Sequence, residues 1–355
     1  VNRHLASAVG GSEVQCDRVA RGLIDRGHEV VYVAVDGLVP ADSPYPVRSA
    51  PAEPVAIAEA CRSERVDVVY WRFGRGLLLP VARRLRRDGI PVVLAVAHEE
   101  DVLRWPRRPW VGGPRARAAD AVARIRHRRS FRALRAVAGV ASQREDQLAL
   151  VPPGHPPDRV RLVRNLVTPV AAPAPWPHPR PYVAWVGNLK ARKRPEVCRP
   201  LADALAPLGV DVLMAGALQD PAYEPLTAPD PARPGLRYVG RLTPDEVTAL
   251  LAGSVCVAIT YRPEGFSNVL LQAWALGRPT PTLGYDPDGL IAAEGLGGVA
   301  GEDVERFVAL VRDLVRHPEE AAAAGARAAA VVRARFDPVG TLDELEGLLR
   351  RVAGA

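Results

Sequence analysis

The chain has 355 residues, room for two domains of ordinary size, and its 48% apolar content is that of a globular protein. No apolar run approaches the ~18–20 residues of a membrane-spanning helix, so none is expected. There are 47 basic against 40 acidic side chains, a formal charge of +7, but Ala, Arg, Pro and Gly are all abundant and arginine number alone says little about partners.

In chain order, residues 12–26 read as an amphipathic helix, with Val14, Val19, Leu23 and Ile24 at roughly helical spacing and Gly27-His28 as its stop. Strands follow at 30–35 and 66–71, then a helix at 77–87 and a strand at 90–97. Such alternation indicates a parallel, doubly wound α/β sheet. Residues 1–9 are too polar at Asn2, Arg3 and His4 for a convincing buried strand. Gly10-Gly11 precede the first helix; they either let backbone amides approach a ligand at a helix start or make a plain turn. His98 ends a strand and leads into Glu99-Glu100-Asp101. It reads as a site imidazole or as a surface-loop side chain, and the acids after it as acceptor-hydroxyl ligands or as solvated groups.

From Arg104 to Arg144 there are twelve arginines and one acid, Asp120, interleaved with Trp105, Trp110 and Phe131. This segment suits peripheral contact with an anionic membrane face or a lipid-phosphate acceptor. It equally suits a solvated helix coloured by composition. No nucleic-acid-binding module is recognisable, so nucleic acid is not an expected partner. A strand at 137–141, a helix through Leu150 and a strand at 161–164 ending at Asn165 complete a first domain of residues 1–167.

Residues 168–181 have Pro169 and then proline at every second position from Pro173 to Pro181. Proline fixes φ and excludes helix and central strand, so this is a stiff connector. A second α/β domain, 182–335, opens with a strand at 182–186 and the basic loop Gly187-Asn188-Leu189-Lys190-Ala191-Arg192-Lys193-Arg194. Strands at 210–215 and 236–239 follow, the latter leading into Gly240-Arg241. Thr243-Pro-Asp-Glu246 is a capping box with Pro at the first helical position. The apolar run 255–259 then leads into Glu264-Gly-Phe-Ser-Asn-Val-Leu-Leu-Gln272, a strand-to-helix turn of the kind where α/β proteins place ligands. Gly265 permits the tight turn and Ser267 or Asn268 can cap the helix, whose dipole favours a phosphate. Gln272 lies one turn beyond Asn268 on the same stripe. A strand at 280–283, the turn Asp286-Pro-Asp-Gly289 and amphipathic helices at 304–315, 319–335 and 341–352 end the chain.

The run EGFSNVLLQAWALGRP resembles the signature of the retaining glycosyltransferases of family 4, in which two glutamates stand eight apart; here the second is Gln272. With VGNLKARKRPE and DPDG it is similar to a bacterial branch that assembles surface polysaccharides and glycans. The resemblance implies the GT-B fold, two Rossmann-like domains facing across a cleft, with residues 336–355 crossing back onto the first. It also makes Gly10-Gly11-Ser12-Glu13 the loop after a first strand, so the first-domain sheet is expected to lack its central strand, or to hold a short substitute, and a strand is expected upstream of Val1.

The resemblance further implies a nucleotide-diphospho-sugar donor, no other cofactor, and a glycan, lipid-linked or small-molecule acceptor. Lys193 matches the lysine of the family's pyrophosphate clamp, whereas Asn188 stands where its arginine would be; Lys190, Arg192 or Arg194 would then supply the second charge. Gly10 and Gly11 would touch donor phosphate or sugar, and His98 would lie beside the sugar. The backbone of Gly240 and Arg241 would read the base. Gly265, Phe266, Ser267 and Asn268 would hold the diphosphate, Glu264 the sugar hydroxyls and Gln272 the ribose. Catalysis would be metal-independent and front-face, with the leaving phosphate taking the acceptor's proton and Lys193 and Glu264 stabilising separating charge.

Two other readings stay open: a GT-B epimerase or phosphorylase, and a catalytically inactive nucleotide-binding partner, which Asn188 and Gln272 would suit. The cysteines, Cys16, Cys61, Cys198 and Cys256, are far apart with no metal-ligand spacing, and no signal peptide is visible. With 355 residues to build cores, disulfides are unnecessary, which favours a reduced, cytoplasmic setting, peripheral at the inner membrane face if the arginine-rich segment meets lipid.

Overall fold

The computed structural model describes residues 1–7, 10–103, 121–122, 124–125, 128, 131–167, 173–262 and 264–354. Most of the arginine-rich segment, with Trp105 and Trp110, and residues 168–172 of the proline-rich stretch lie outside the described residues. The chain divides into two compact units, Val1–Leu166 with Pro338–Ala355, and Val167–Asp337.

In the first unit α1 (Gly11–Ile24) is followed by β1 (Tyr32–Val35), β2 (Val47–Ala50), α2 (Pro54–Ser63), β3 (Val69–Trp71), α3 (Arg75–Arg87), β4 (Val92–Ala95), β5 (Gly139–Ser142), α4 (Glu145–Leu148) and β6 (Val160–Leu162). Every strand pairing is parallel, in the orders β1-β2 and β3-β4-β5-β6. Strands β1, β4 and β5 are buried throughout, as strands with helices on both faces must be. The stretch 36–65 carries no strong periodicity, yet it contains β2 and α2. The one sequence signal for α2 is Pro54 at its first turn, with Ile57, Ala58 and Cys61 on its buried face.

Among the described residues, Val1 and Asn2 bridge the gap between β1 and β3. Asn2 bridges in parallel to Ala34, its amide donating to the Val33 carbonyl at 3.2 Å and its carbonyl accepting from Val35 at 3.0 Å. On the other side the Val1 ammonium donates to the Tyr70 carbonyl at 2.7 Å, and the Arg72 amide donates to the Val1 carbonyl at 3.1 Å. This is the short substitute for a strand that the polar residues 2–4 led us to expect.

The last helix, Pro338–Ala353, belongs to the first unit and packs its buried Leu345, Leu348 and Val352 against Val19, Leu23, Val93 and Ala141. Two glycines make room for it. A Cβ at Gly22 would lie 2.7 Å from the Leu342 side chain, and one at Gly139 2.9 Å from Val352. Arg26 pairs with Asp343 at 2.7 Å and Glu346 at 2.9 Å, and Arg161 with Glu344 at 2.7 Å.

The second unit is built from β7 (Tyr182–Val186), α5 (Cys198–Leu205), β8 (Asp211–Ala215), β9 (Leu236–Tyr238), α6 (Pro244–Gly253), α7 (Asn268–Ala275), α8 (Leu290–Glu294), α9 (Val304–Arg316) and α10 (Pro318–Arg335). Strands β7-β8-β9 form a parallel ladder. The runs expected as strands at 255–259 and 280–283 extend this sheet through single bridges, Ala184 to Val257, Ile259 to Thr282 and Thr282 to Val299. The cause is local. The Leu283 amide points at the Ile259 carbonyl, so at period two the nitrogens of Pro281 and Pro279 face the same neighbour and have no hydrogen to donate. Their carbonyls still accept, from Ile259 at 3.0 Å and Val257 at 3.0 Å.

Residues 173–181, part of the stretch expected as a stiff connector, run along this unit: the Trp176 amide donates to the Ala249 carbonyl at 3.1 Å and its ring packs on the core. Thr243 and Glu246 form the expected capping box at α6. No helix among the described residues is long and apolar enough to cross a membrane.

Candidate functional site

The carboxyl ends of the second unit's strands are where a parallel α/β sheet leaves room for a ligand. Three glycine turns lie side by side there. A Cβ at Gly216, after β8, would fall 2.0 Å from the Gly187 carbonyl oxygen after β7, and the backbone at Gly216 has φ +144°, so only glycine fits. The Gly216 amide donates to Gly240, after β9, at 2.9 Å. Asn188 is part of this contact, its side-chain oxygen accepting from the Ala217 amide at 3.3 Å. A longer cationic side chain at 188 could not make that bond, so the departure from the family pattern has a structural use.

Lys193 and Glu264, seventy-one residues apart, are brought together. The ammonium donates to both carboxylate oxygens, at 2.8 and 2.9 Å, and stands 3.6 Å from the centroid of the Tyr261 ring. Both side chains are largely buried, 15% and 14% exposed. Burial lowers the Lys193 pKa from its ordinary value; Glu264 opposes that shift, and the like charges of Lys190 and Arg192 add to it. The backbone under Lys193 is fixed as well. Its carbonyl accepts from the Thr260 hydroxyl at 2.6 Å, and that hydroxyl accepts from the Trp185 indole at 2.8 Å. Tyr261 donates its hydroxyl to the Val186 carbonyl at the end of β7.

Of the other cations in this loop, Arg194 is committed to Glu302 at 2.6 Å and lies 3.6 Å from Glu196, and its backbone is left-handed, φ 51°. Arg192 is half-buried, and its carbonyl accepts from the Arg262 amide at 2.9 Å. Lys190 is half-buried one turn away, its carbonyl accepting from the Lys193 amide at 2.8 Å.

Ser267 is the N-cap of α7 through its backbone, with no capping bond from its side chain. Its amide donates to the Tyr285 hydroxyl at 3.2 Å, and that hydroxyl donates to the Gly265 carbonyl. The turn is therefore braced from below, and the Ser267 amide already has an internal acceptor. Phe266 is 4% exposed, its ring 4.8 Å from Phe336 and 6.1 Å from Trp274. Its side chain is core, which leaves only its backbone for a ligand. Asn268 and Gln272 are both half-buried on one stripe of α7. Gly240 takes φ +84° and Arg241 is exposed beside it.

The remaining sequence candidates belong to the first unit. Gly10 is the extended N-cap residue of α1 and Gly11 its first helical residue. A Cβ at Gly10 would lie 2.5 Å from the Glu13 carboxylate. His98 is exposed at the end of β4. Asp101 is not a solvated acid: it is buried, and one oxygen accepts from the amides of Ala97 and His98, at 2.9 Å each. Gln143 ties the same loop by donating to the Val96 and Ala97 carbonyls at 2.8 and 2.9 Å.

Tyr261 and Thr260 were not singled out from sequence, because a polar–aromatic pair after an apolar run reads as strand end. A better signal was available. Of the 47 basic residues only Lys190 and Lys193 are lysines, and both fall in this one loop. Among the described residues no group of three or more His, Cys, Asp or Glu could hold a metal ion.

A family model described as Glycosyl transferases group 1 matches residues 180–317. A D-inositol 3-phosphate glycosyltransferase of Mycobacterium avium is 31% identical over 185 residues, which is 48% of this chain and 41% of that protein. The chain thus spans about two fifths of the length of the curated relatives it matches. Among solved structures, Anabaena Alr3699/HepE in complex with UDP-glucose is similar over 97% of both chains, with TM-score 0.72 and 16% identity. Sucrose-phosphate synthase of Thermosynechococcus elongatus is similar over 99% of this chain and 96% of its own, with TM-score 0.71 and 17% identity. The fold is the GT-B fold, with two Rossmann-like α/β units, and residues 180–317, which hold β7, Lys193 and the Glu264 turn, match the Glycosyl transferases group 1 model.

Proposed function

We propose that the chain is a retaining glycosyltransferase that moves a sugar from a nucleotide-diphospho-sugar to a glycan, lipid-linked or small-molecule acceptor by a metal-independent front-face route. The observation that carries this reading is the Lys193–Glu264 pair, set between the loop after β7 and the start of α7. A donor diphosphate at that helix start would meet a positive dipole end and the Lys193 ammonium. Glu264, released from Lys193, would accept from sugar hydroxyls and face the positive charge that grows on the sugar ring as the bond to phosphate lengthens. The departing phosphate oxygen would take the acceptor's proton, so the protein needs no nucleophile of its own. Its part is to hold charges in place before the reaction begins. Gln272 would bond the ribose as a neutral amide.

Complexes of Alr3699/HepE with UDP and UDP-glucose make a uridine diphosphate sugar the first donor to try. A panel of nucleotide-sugars in a thermal-shift assay reads binding as stabilisation. At least one is expected to raise Tm, and to lose that effect in Lys193→Ala. No shift with any nucleoside diphosphate or its sugar would overturn the reading.

A further inference from the structure

Glu264 and Lys193 bond to each other in this structure, although the function proposed above needs the carboxylate on the sugar and the ammonium on the diphosphate. When the pair opens, something must keep the ammonium in place. A lysine has four flexible side-chain torsions, and one released beside a carboxylate would otherwise follow it or turn to solvent. Tyr261 has the geometry for that task. Its ring is fully buried, edge-on to Trp185 at 6.3 Å, and its hydroxyl is tied to the Val186 carbonyl. It therefore offers the ammonium a fixed face at 3.6 Å that does not depend on Glu264. Thr260, the residue before it, holds the Lys193 carbonyl, so one short segment fixes both ends of the lysine.

We propose that Tyr261 is the positioning residue for Lys193: its buried ring seats the ammonium by a cation–π contact and keeps it aimed at the donor diphosphate once Glu264 turns to the sugar. The proposal rests on the donor-binding reading for its purpose, but the seat itself can be observed without any donor. Tyr261→Phe keeps the ring and removes the bond to Val186. Tyr261→Leu removes the ring and keeps an apolar side chain of similar bulk.

The test combines two measurements on the full chain. With 13C-labelled lysine the protein gives signals from two residues only, and Lys190→Arg leaves Lys193 alone. In the wild type the Lys193 side-chain protons are expected upfield of ordinary lysine values, because they lie over a ring. They should stay there in Tyr261→Phe and return to the ordinary position in Tyr261→Leu. UDP binding, measured by calorimetry, should be within about twofold of wild type in Tyr261→Phe and about 5- to 30-fold weaker in Tyr261→Leu, the range a desolvated cation–π contact supports. An unshifted Lys193 signal in the folded wild type overturns the seat, even if Tyr261→Leu fails to fold. So does wild-type UDP affinity in folded Tyr261→Leu. An upfield signal together with no UDP binding by the wild type upholds the seat and overturns the donor reading instead.

Discussion

Glu264 is paired with Lys193, whose ammonium rests on Tyr261, whereas Gln272 lies one turn along α7 and is neutral. That difference divides their roles. A neutral amide bonding a ribose hydroxyl contributes roughly 1 kcal/mol, so Gln272→Ala should weaken nucleotide binding about fivefold and leave kcat nearly unchanged. Equal loss of turnover in Gln272→Ala and Glu264→Ala would contradict this division. The sign of the Lys193 shift gives a second expectation. Because burial lowers its pKa below 10.5, UDP affinity should fall as pH rises through an inflection below that value. In Glu264→Gln the inflection should move lower still, since Glu264 is the group that opposes burial. In Lys193→Arg it should vanish, because a guanidinium does not titrate there. A pH-independent affinity up to 10.5 in the wild type would refute the assignment. Lys193 and Glu264 were legible in the sequence because their spacing within known motifs is local. The role of Asn188 was not, since its partner Ala217 follows a different strand.

The elements behind the site depend on close contacts that glycine alone allows. Helix α10 crosses the end of α7 where a Cβ at Gly325 would lie 1.9 Å from the Gly277 carbonyl oxygen. That oxygen is backbone and cannot swing aside. Gly325→Ala should therefore push α10 off α7 and cost about 1–3 kcal/mol, read as a lowered Tm with nucleotide binding weakened through the shifted helix start. An unchanged Tm would show that the two helices have slack. The last helix offers a test of a different kind. Glu346 bonds Arg26, Arg350 and His28, which hold its pKa down at about 2. A depressed carboxylate stabilises the fold above its unfolded value near 4.5 and loses that contribution as pH falls toward 2. The Tm difference between wild type and Glu346→Gln should accordingly shrink across that window; a constant difference would mean the bonds contribute nothing. Helical elements were the most legible because their apolar periodicity is repeated over several turns, and the three C-terminal ones lie within a few residues of where periodicity puts them. Residues 280–283 were legible as extended chain, but not as a bridge without a full ladder. That needs the direction in which the nitrogens of Pro279 and Pro281 point.

At the scale of the molecule, the parallel doubly wound character of both units follows from alternating apolar runs and amphipathic helices, and was readable without any motif. The centre of the first unit was readable only as a deficiency. The inner edges of β1 and β3 border a cavity of about 580 Å³, with Val19 and Leu23 of α1, Cys61 of α2 and Leu349 of the last helix around it. Val1 and Asn2 fill one end, and the Val1 ammonium is buried with its pKa lowered by that burial. The central claim concerns chemistry, and it rests on one carboxylate held by one lysine. With the donor that the thermal-shift panel identifies, sugar transfer or release should be abolished in Glu264→Ala while the circular dichroism spectrum stays that of the wild type, and full activity in that folded variant would contradict the account.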